Sequence, residues 1–110
     1  MDIKFGHKKL EKLAKDPRKC KQEMGERRAN LFIKRLTDLR DAETLEDVRH
    51  LPGRYHELKE TRKGQWACDL DHPYRLIFIP QEKPIPTNEN GQYIWLEILS
   101  VEIIEIVDYH

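Results

Sequence analysis

Five side chains in the second half of the chain are suited to moving protons and stabilising charge: His56, Arg75, Asp108, Tyr109 and His110. Histidine titrates near neutrality, so either imidazole can take or give a proton. Arginine stays charged and matches the geometry of a phosphate group. Two imidazoles, a guanidinium, a phenol and a carboxylate are the parts for cutting an RNA backbone without a metal. In that reaction the ribose 2′-OH attacks the adjacent phosphate and the 5′-oxygen leaves. It needs a base, an acid, and donors or cations for the charge of the transition state. Each residue also has a structural alternative. His56 can be an ordinary hydrogen-bonded histidine, Arg75 an ion-pair member, and Asp108-Tyr109-His110 a solvated end.

The surrounding elements decide whether these residues can meet. Asp2–Phe5 alternates and predicts a short strand. Residues 7–40 read as helical: Leu10, Leu13 and Ala14 form one apolar stripe, and Ala29, Phe32, Leu36 and Leu39 form another at spacings of three and four. Asp16-Pro17 breaks the first stripe. The pattern therefore predicts two helices with a ragged joint over residues 17–24, marked by Gly25. Thr44 with Asp47 three residues on predicts one helical turn. From Leu51 the period changes to two. Strands are predicted over 54–58, 65–70 and 74–79, separated by turns at Thr61–Gly64 and Asp71–Pro73. The second strand puts Trp66, Cys68 and Leu70 on one face. The third is apolar on both faces except at Arg75, as expected of a central strand. Residues 80–92 hold three prolines and Gly91 and predict a long loop. The β-rich runs 93–99 and 101–107 are separated only by Ser100, which predicts one bent or bulged strand. A short strand, two helices and then a strand meander define an α+β class, with the helices packed on a mostly antiparallel, twisted sheet.

The composition sets bounds on function. The chain has 110 residues, 38% hydrophobic and 36% charged, enough for a single domain over 1–110. No apolar run approaches the ~20 residues of a membrane helix, and the first residues lack a signal core, so a cytoplasmic protein with no membrane partner is expected. Two cysteines, Cys20 and Cys68, are too few for a disulfide framework. The histidines His7, His50, His56, His72 and His110 have no helical ligand spacing, so neither metal nor other cofactor is expected. Net charge is zero but uneven. Residues 1–66 carry 18 basic and 12 acidic side chains, and residues 67–110 carry 2 and 8. A globally basic nucleic-acid binder is excluded; a basic face is not.

Four segments taken in order point to a family. Leu51-Pro52-Gly53-Arg54-Tyr55-His56-Glu57-Leu58-Lys59, Arg62-Lys63-Gly64-Gln65-Trp66, Tyr74-Arg75-Leu76-Ile77-Phe78 and Val107-Asp108-Tyr109-His110 resemble the HigB branch of the RelE/ParE toxin superfamily. These are the plasmid-maintenance killer toxins of bacterial type II toxin–antitoxin modules. The resemblance implies a RelE-like fold that cuts mRNA in the ribosomal A site without metal. It implies as partners the ribosome with its mRNA and a helix-turn-helix antitoxin of the HigA kind, and it allows a homodimer. Carried over by motif, Arg75 would stabilise the transition state and His56 and His110 would share proton transfer. Asp108 would orient an imidazole or position the nucleotide, Tyr109 would contact RNA, and Lys59 and Arg62 would bind phosphate.

Two departures accompany the resemblance: the 80–92 loop is longer than that branch's usual turn, and the chain is neutral where those toxins are basic. They motivate a second expectation, a non-catalytic protein of the same fold. That protein would inhibit gyrase, or act as a killer-suppression or regulatory member of the module. A helix-turn-helix reader is not expected, because the helices precede a long strand-rich region. The blandest reading is a small α+β domain whose polar residues are structural.

Overall fold

A computed structural model describes residues 1–108 of the chain. Three helices, α1 (Lys8–Lys15), α2 (Pro17–Met24) and α3 (Glu26–Asp41), pack on a five-stranded sheet. The strands are β1 (Asp2–Phe5), β2 (His56–Glu57), β3 (Trp66–Asp69), β4 (Tyr74–Pro80) and β5 (Ser100–Asp108), in the spatial order β1-β5-β4-β3-β2. β1 runs parallel to β5, and the other pairs are antiparallel. The α+β class and the central place of the Arg75 strand are therefore as expected from the sequence.

The helical region holds three helices rather than two. The Asp16 carboxylate accepts the Lys19 N–H at 3.1 Å, and Pro17 occupies the first turn, so a complete helix starts where a ragged joint was expected. Gly25, at φ 85°, ends α2 and opens α3. The Thr44 turn forms as a 3-10 helix over Glu46–His50, with only half of its reciprocal cap: the Thr44 N–H donates to Asp47 at 3.1 Å, while its hydroxyl finds no partner among the described residues.

One face of each element makes the core. Leu10 and Leu13 from α1 and Phe32, Leu36 and Leu39 from α3 meet Trp66, Cys68, Leu76, Phe78, Val101 and Ile103 from the sheet. Full burial of a side chain such as Phe32 stabilises by about 1.5–3 kcal/mol. The expected strand at 93–99 does not form. Trp95 is instead buried against Trp66, at 5.5 Å between ring centroids, and donates its indole N–H to Glu57 at 2.8 Å. That demand bends residues 95–97 into a 3-10 turn and leaves Leu96 and Leu99 exposed. β5 begins only at Ser100 and is bulged. Ile77 opposes Glu105 and Phe78 opposes Ile103, so Ile104 is the extra residue.

Burial also sets a pH limit on stability. It pushes the Cys68 thiol well above its usual range, and it does the same to the Tyr55 hydroxyl, which donates to the Arg35 carbonyl at 3.3 Å. Both groups are neutral in either state below about pH 8.5, so nothing is lost there. Above that pH the unfolded chain releases protons that the folded chain keeps. Stability then falls by about 1.4 kcal/mol per pH unit for the thiol, joined by the phenol above about pH 10. Urea titrations should show a loss of roughly 3 kcal/mol between about pH 8 and about pH 10.5. Cys20, whose buried thiol is also raised, adds to that slope, so Cys68→Ala should reduce it without abolishing it; an unchanged slope would show that the Cys68 thiol titrates alike in both states.

Candidate active site

The sheet has two faces. The register groups residues in rows. Glu57, Trp66, Phe78 and Ile103 form a row on the helix side. His56, Ala67, Ile77 and Glu105 form the next row, on the opposite side. Asp69, Arg75 and Val107 form another row on that same open side. Strand spacing and rise separate the backbones of His56 and Arg75 by about 12 Å, a span that their side chains shorten.

Strand β2 is only two residues long because the chain turns sharply just before it. Gly53 and Arg54 both have positive φ, 118° and 53°. That turn brings the Arg54 carbonyl onto the His56 ring, 2.6 Å from Nδ1. A carbonyl can only accept, so Nδ1 carries the proton, and when the ring is neutral Nε2 keeps its lone pair. His56 is thus held in the tautomer that can accept a proton from a substrate.

Asp69 organises the cations beside it. Its carboxylate lies 3.3 Å from Arg75 Nε and 3.6 Å from Arg54 Nη1, and its carbonyl accepts from Arg35 Nε at 2.8 Å. Its own N–H donates to the Gly53 carbonyl at 2.7 Å, which ties β3 to the turn below His56. The Cys68 thiol beside it stays protonated through burial, so Asp69 supplies the local negative charge. Two guanidiniums thus lie beside that one carboxylate. Arg54, Asp69, His72 and Arg75 line a small depression of about 60 Å³ there.

Arg62 arches over the same face. It donates to Gln65 at 2.9 Å and to Glu105, across the sheet, at 2.8 Å. Ala67 and Ile77 beneath this arch are fully buried although they face away from the helices. Lys59 is exposed where the Glu60–Arg62 3-10 turn begins.

The structure therefore brings His56, Arg62 and Arg75 to one face, with Lys59 at its rim. Asp108 is exposed and opposes Tyr74 in the register. Tyr74 lies on the helix side, its ring 3.5 Å beneath Arg28, which pairs with Asp71 at 2.9 Å. That hydrogen bond with Asp71 raises the Arg28 guanidinium further above its ordinary range. Asp108 thus starts from the other face of the sheet. Tyr109 and His110 lie outside the described residues. Sequence reasoning missed Arg54, Asp69, His72 and Glu105. Asp69 and Glu105 could not be singled out from the neighbouring acids Asp71 and Glu102 by sequence, because only the register shows which cation each one meets.

Fold and site define an α+β protein whose open sheet face carries a histidine and several arginines paired with acids. No protein-family model and no curated protein matches the chain. Among the described residues, no group of three His, Cys, Asp or Glu side chains is placed to hold a metal ion, and no helix is long and apolar enough to cross a membrane.

Proposed function

We propose that this protein is the toxin of a type II toxin–antitoxin module, a metal-independent endoribonuclease that cuts mRNA on the ribosome. One observation carries the reading: His56, fixed as a proton acceptor, shares the open face with Arg54, Arg62 and Arg75. His56 Nε2 takes the proton of a ribose 2′-OH, and the oxygen attacks the neighbouring phosphorus. The P–O5′ bond breaks, leaving a 2′,3′-cyclic phosphate. The 5′-oxygen collects a proton from an acid; the resemblance implies only that His56 and His110 share proton transfer, and with His56 as the base this step falls to His110. Arg75 stabilises the charge on the phosphoryl oxygens. A helix-turn-helix antitoxin that covers this face would silence it.

The test is induced expression in a bacterial host, with primer extension on translated messages. Growth arrest with new 5′ ends is expected, and both should vanish when His56 and His110 are changed together to glutamine. Arrest that survives the double change removes the site assignment. Arrest with intact mRNA and inhibited DNA supercoiling would favour the non-catalytic, gyrase-directed reading. That alternative has one observation behind it: Arg62 and Arg75 already face carboxylates, Glu105 and Asp69.

The Arg62 pair makes its own prediction. Glu105→Gln releases the guanidinium for phosphate, so single-stranded RNA should bind more tightly at low salt. The log–log salt dependence should steepen by about 0.7, the value for one more phosphate contact. An unchanged slope would mean that Arg62 does not reach RNA.

A further inference from the structure

The long 80–93 segment is ordered rather than loose. The Asn88 side-chain oxygen accepts from the N–H groups of Asn90 and Gln92 at 2.9 and 3.0 Å, and Thr87 bridges to Tyr93. Together with the Lys63-Gly64 turn the segment walls a cavity of about 580 Å³, within the range of a small-molecule site. Ile79, Pro80, Pro84 and Ile85 make its apolar wall, and Gln65 and Thr87 add polar groups. The Tyr93 ring closes one side and is braced by buried Trp95, 5.1 Å away between centroids. Gly64 is held at φ 93°, where an added Cβ would lie 3.3 Å from Ile85, so this approach is built for close contact.

Charge selects among occupants. Lys63 and Lys83 line the cavity, and neither pairs with a carboxylate among the described residues. Two nearby acids, Glu82 and Glu57, are engaged elsewhere, while Glu60 lies near Lys63 without forming an ion pair among the described residues. Glu82 accepts from the Leu99 N–H at 2.6 Å and from Ser100 Oγ at 2.9 Å, and Glu57 holds the Trp95 indole. Lys63 Nζ stands 5.6 Å from the Tyr93 ring centroid, a cation beside an aromatic wall. A flat, partly apolar body with an attached anion fits this combination, and a nucleotide is such a body.

The cavity also continues the open face. Ile79 follows Arg75 and Ile77 on that side of β4, so the wall begins about 13 Å along the strand from Arg75. Arg62 lies between them, next to Lys63.

We propose that this cavity is a nucleotide subsite. It holds one base of single-stranded RNA against Tyr93 and its phosphate on Lys63 and Lys83, one or two nucleotides from the scissile position. The proposal rests on the ribonuclease reading for its substrate but not for its test. The full chain is titrated with 5′-AMP and 5′-UMP, following tryptophan fluorescence, because a base on Tyr93 sits next to Trp95. Inorganic phosphate and ribose 5-phosphate are the controls.

Both nucleotides should change the emission saturably, and the two controls should not. Tyr93→Leu should weaken binding by about 5- to 100-fold, one lost base–aromatic stack. The surface double change Lys63→Gln with Lys83→Gln should weaken it and flatten its salt dependence, which keeps the test valid if Tyr93→Leu misfolds. No response up to about 10 mM nucleotide overturns the subsite. So does phosphate binding as tightly as AMP, or binding indifferent to the lysine changes. The failures are separable: nucleotide binding by a chain that never cuts mRNA sinks the enzyme reading alone, and cutting without nucleotide binding sinks the subsite alone.

Discussion

Replacing His56 by glutamine should slow mRNA cleavage by about 10²–10⁴-fold, the usual worth of a positioned general base. The loss should fall on the chemical step. Glutamine keeps a polar group of similar reach, but it cannot accept a proton to form a cation at neutral pH. The fold should hardly notice the change. His56 is half-exposed on a two-residue edge strand, and its Nδ1 contact is to the Arg54 carbonyl two residues away. Thermal melts of the variant should therefore match the parent, while single-turnover cleavage collapses. If cleavage stays within about threefold of the parent, a difference of under 1 kcal/mol in barrier, His56 is not the base. His72→Gln is the informative companion, because that imidazole lines the depression beside Arg75.

The second large effect is structural and lies one turn away. Gly53→Ala should destabilise the protein by about 3–5 kcal/mol and disable the open face at the same time. The position has φ 118°, a region that alanine enters only at a cost of about 1–3 kcal/mol. An added Cβ would also lie 2.7 Å from the Arg35 guanidinium carbon, well inside contact distance. Arg35 is nearly buried and cannot swing away freely, since it donates to the Asp69 and Pro52 carbonyls at 2.8 and 3.5 Å. Shifting it would disturb the strand that carries Asp69, and with it the Arg54 and Arg75 pairs. Urea unfolding should show a lower midpoint with an unchanged m-value. A loss below about 1 kcal/mol would show that the turn relaxes around the methyl group.

Much of this architecture was legible before any coordinates. The α3 stripe of Ala29, Phe32, Leu36 and Leu39 is buried in full, because a 3.6-residue period leaves little choice of which face packs. The alternation of Trp66, Cys68 and Leu70 is likewise realised in the core. Arg75 betrayed a central strand with one polar interruption. What stayed hidden was decided by partners distant in sequence. Trp95 left its β-prone run to reach Trp66 and Glu57, contacts 29 and 38 residues away that no local pattern encodes. Residues 54–58 shrank to a two-residue strand because a glycine and an arginine together adopt positive φ, and Arg54 gives no warning of that. For the candidate site, the residue types of His56, Arg62 and Arg75 were readable; the strand register puts His56 and Arg75 on one face, and Arg62 reaches that face from a turn through Glu105. Asp69 as a shared counter-charge was not readable, since it depends on the Arg35 anchor from α3. Asp108 illustrates the opposite case. Uninterrupted alternation from Ile103 would set it on one side, and the bulge transfers it to the other.

That bulge also makes β5 unequal in its tolerance of lost residues. Ile104 has no opposite number on β4, whereas Ile103 and Glu105 oppose the adjacent residues Phe78 and Ile77. Excising Ile104 would close the ladder into an even rhythm and leave Glu105 under the reach of Arg62. Excising Ile106 instead would move Val107 to the helix side and Asp108 to the open side. The final stretch thus carries a single dispensable spacer, and evolution could trim the strand there without re-addressing the side chains beyond it.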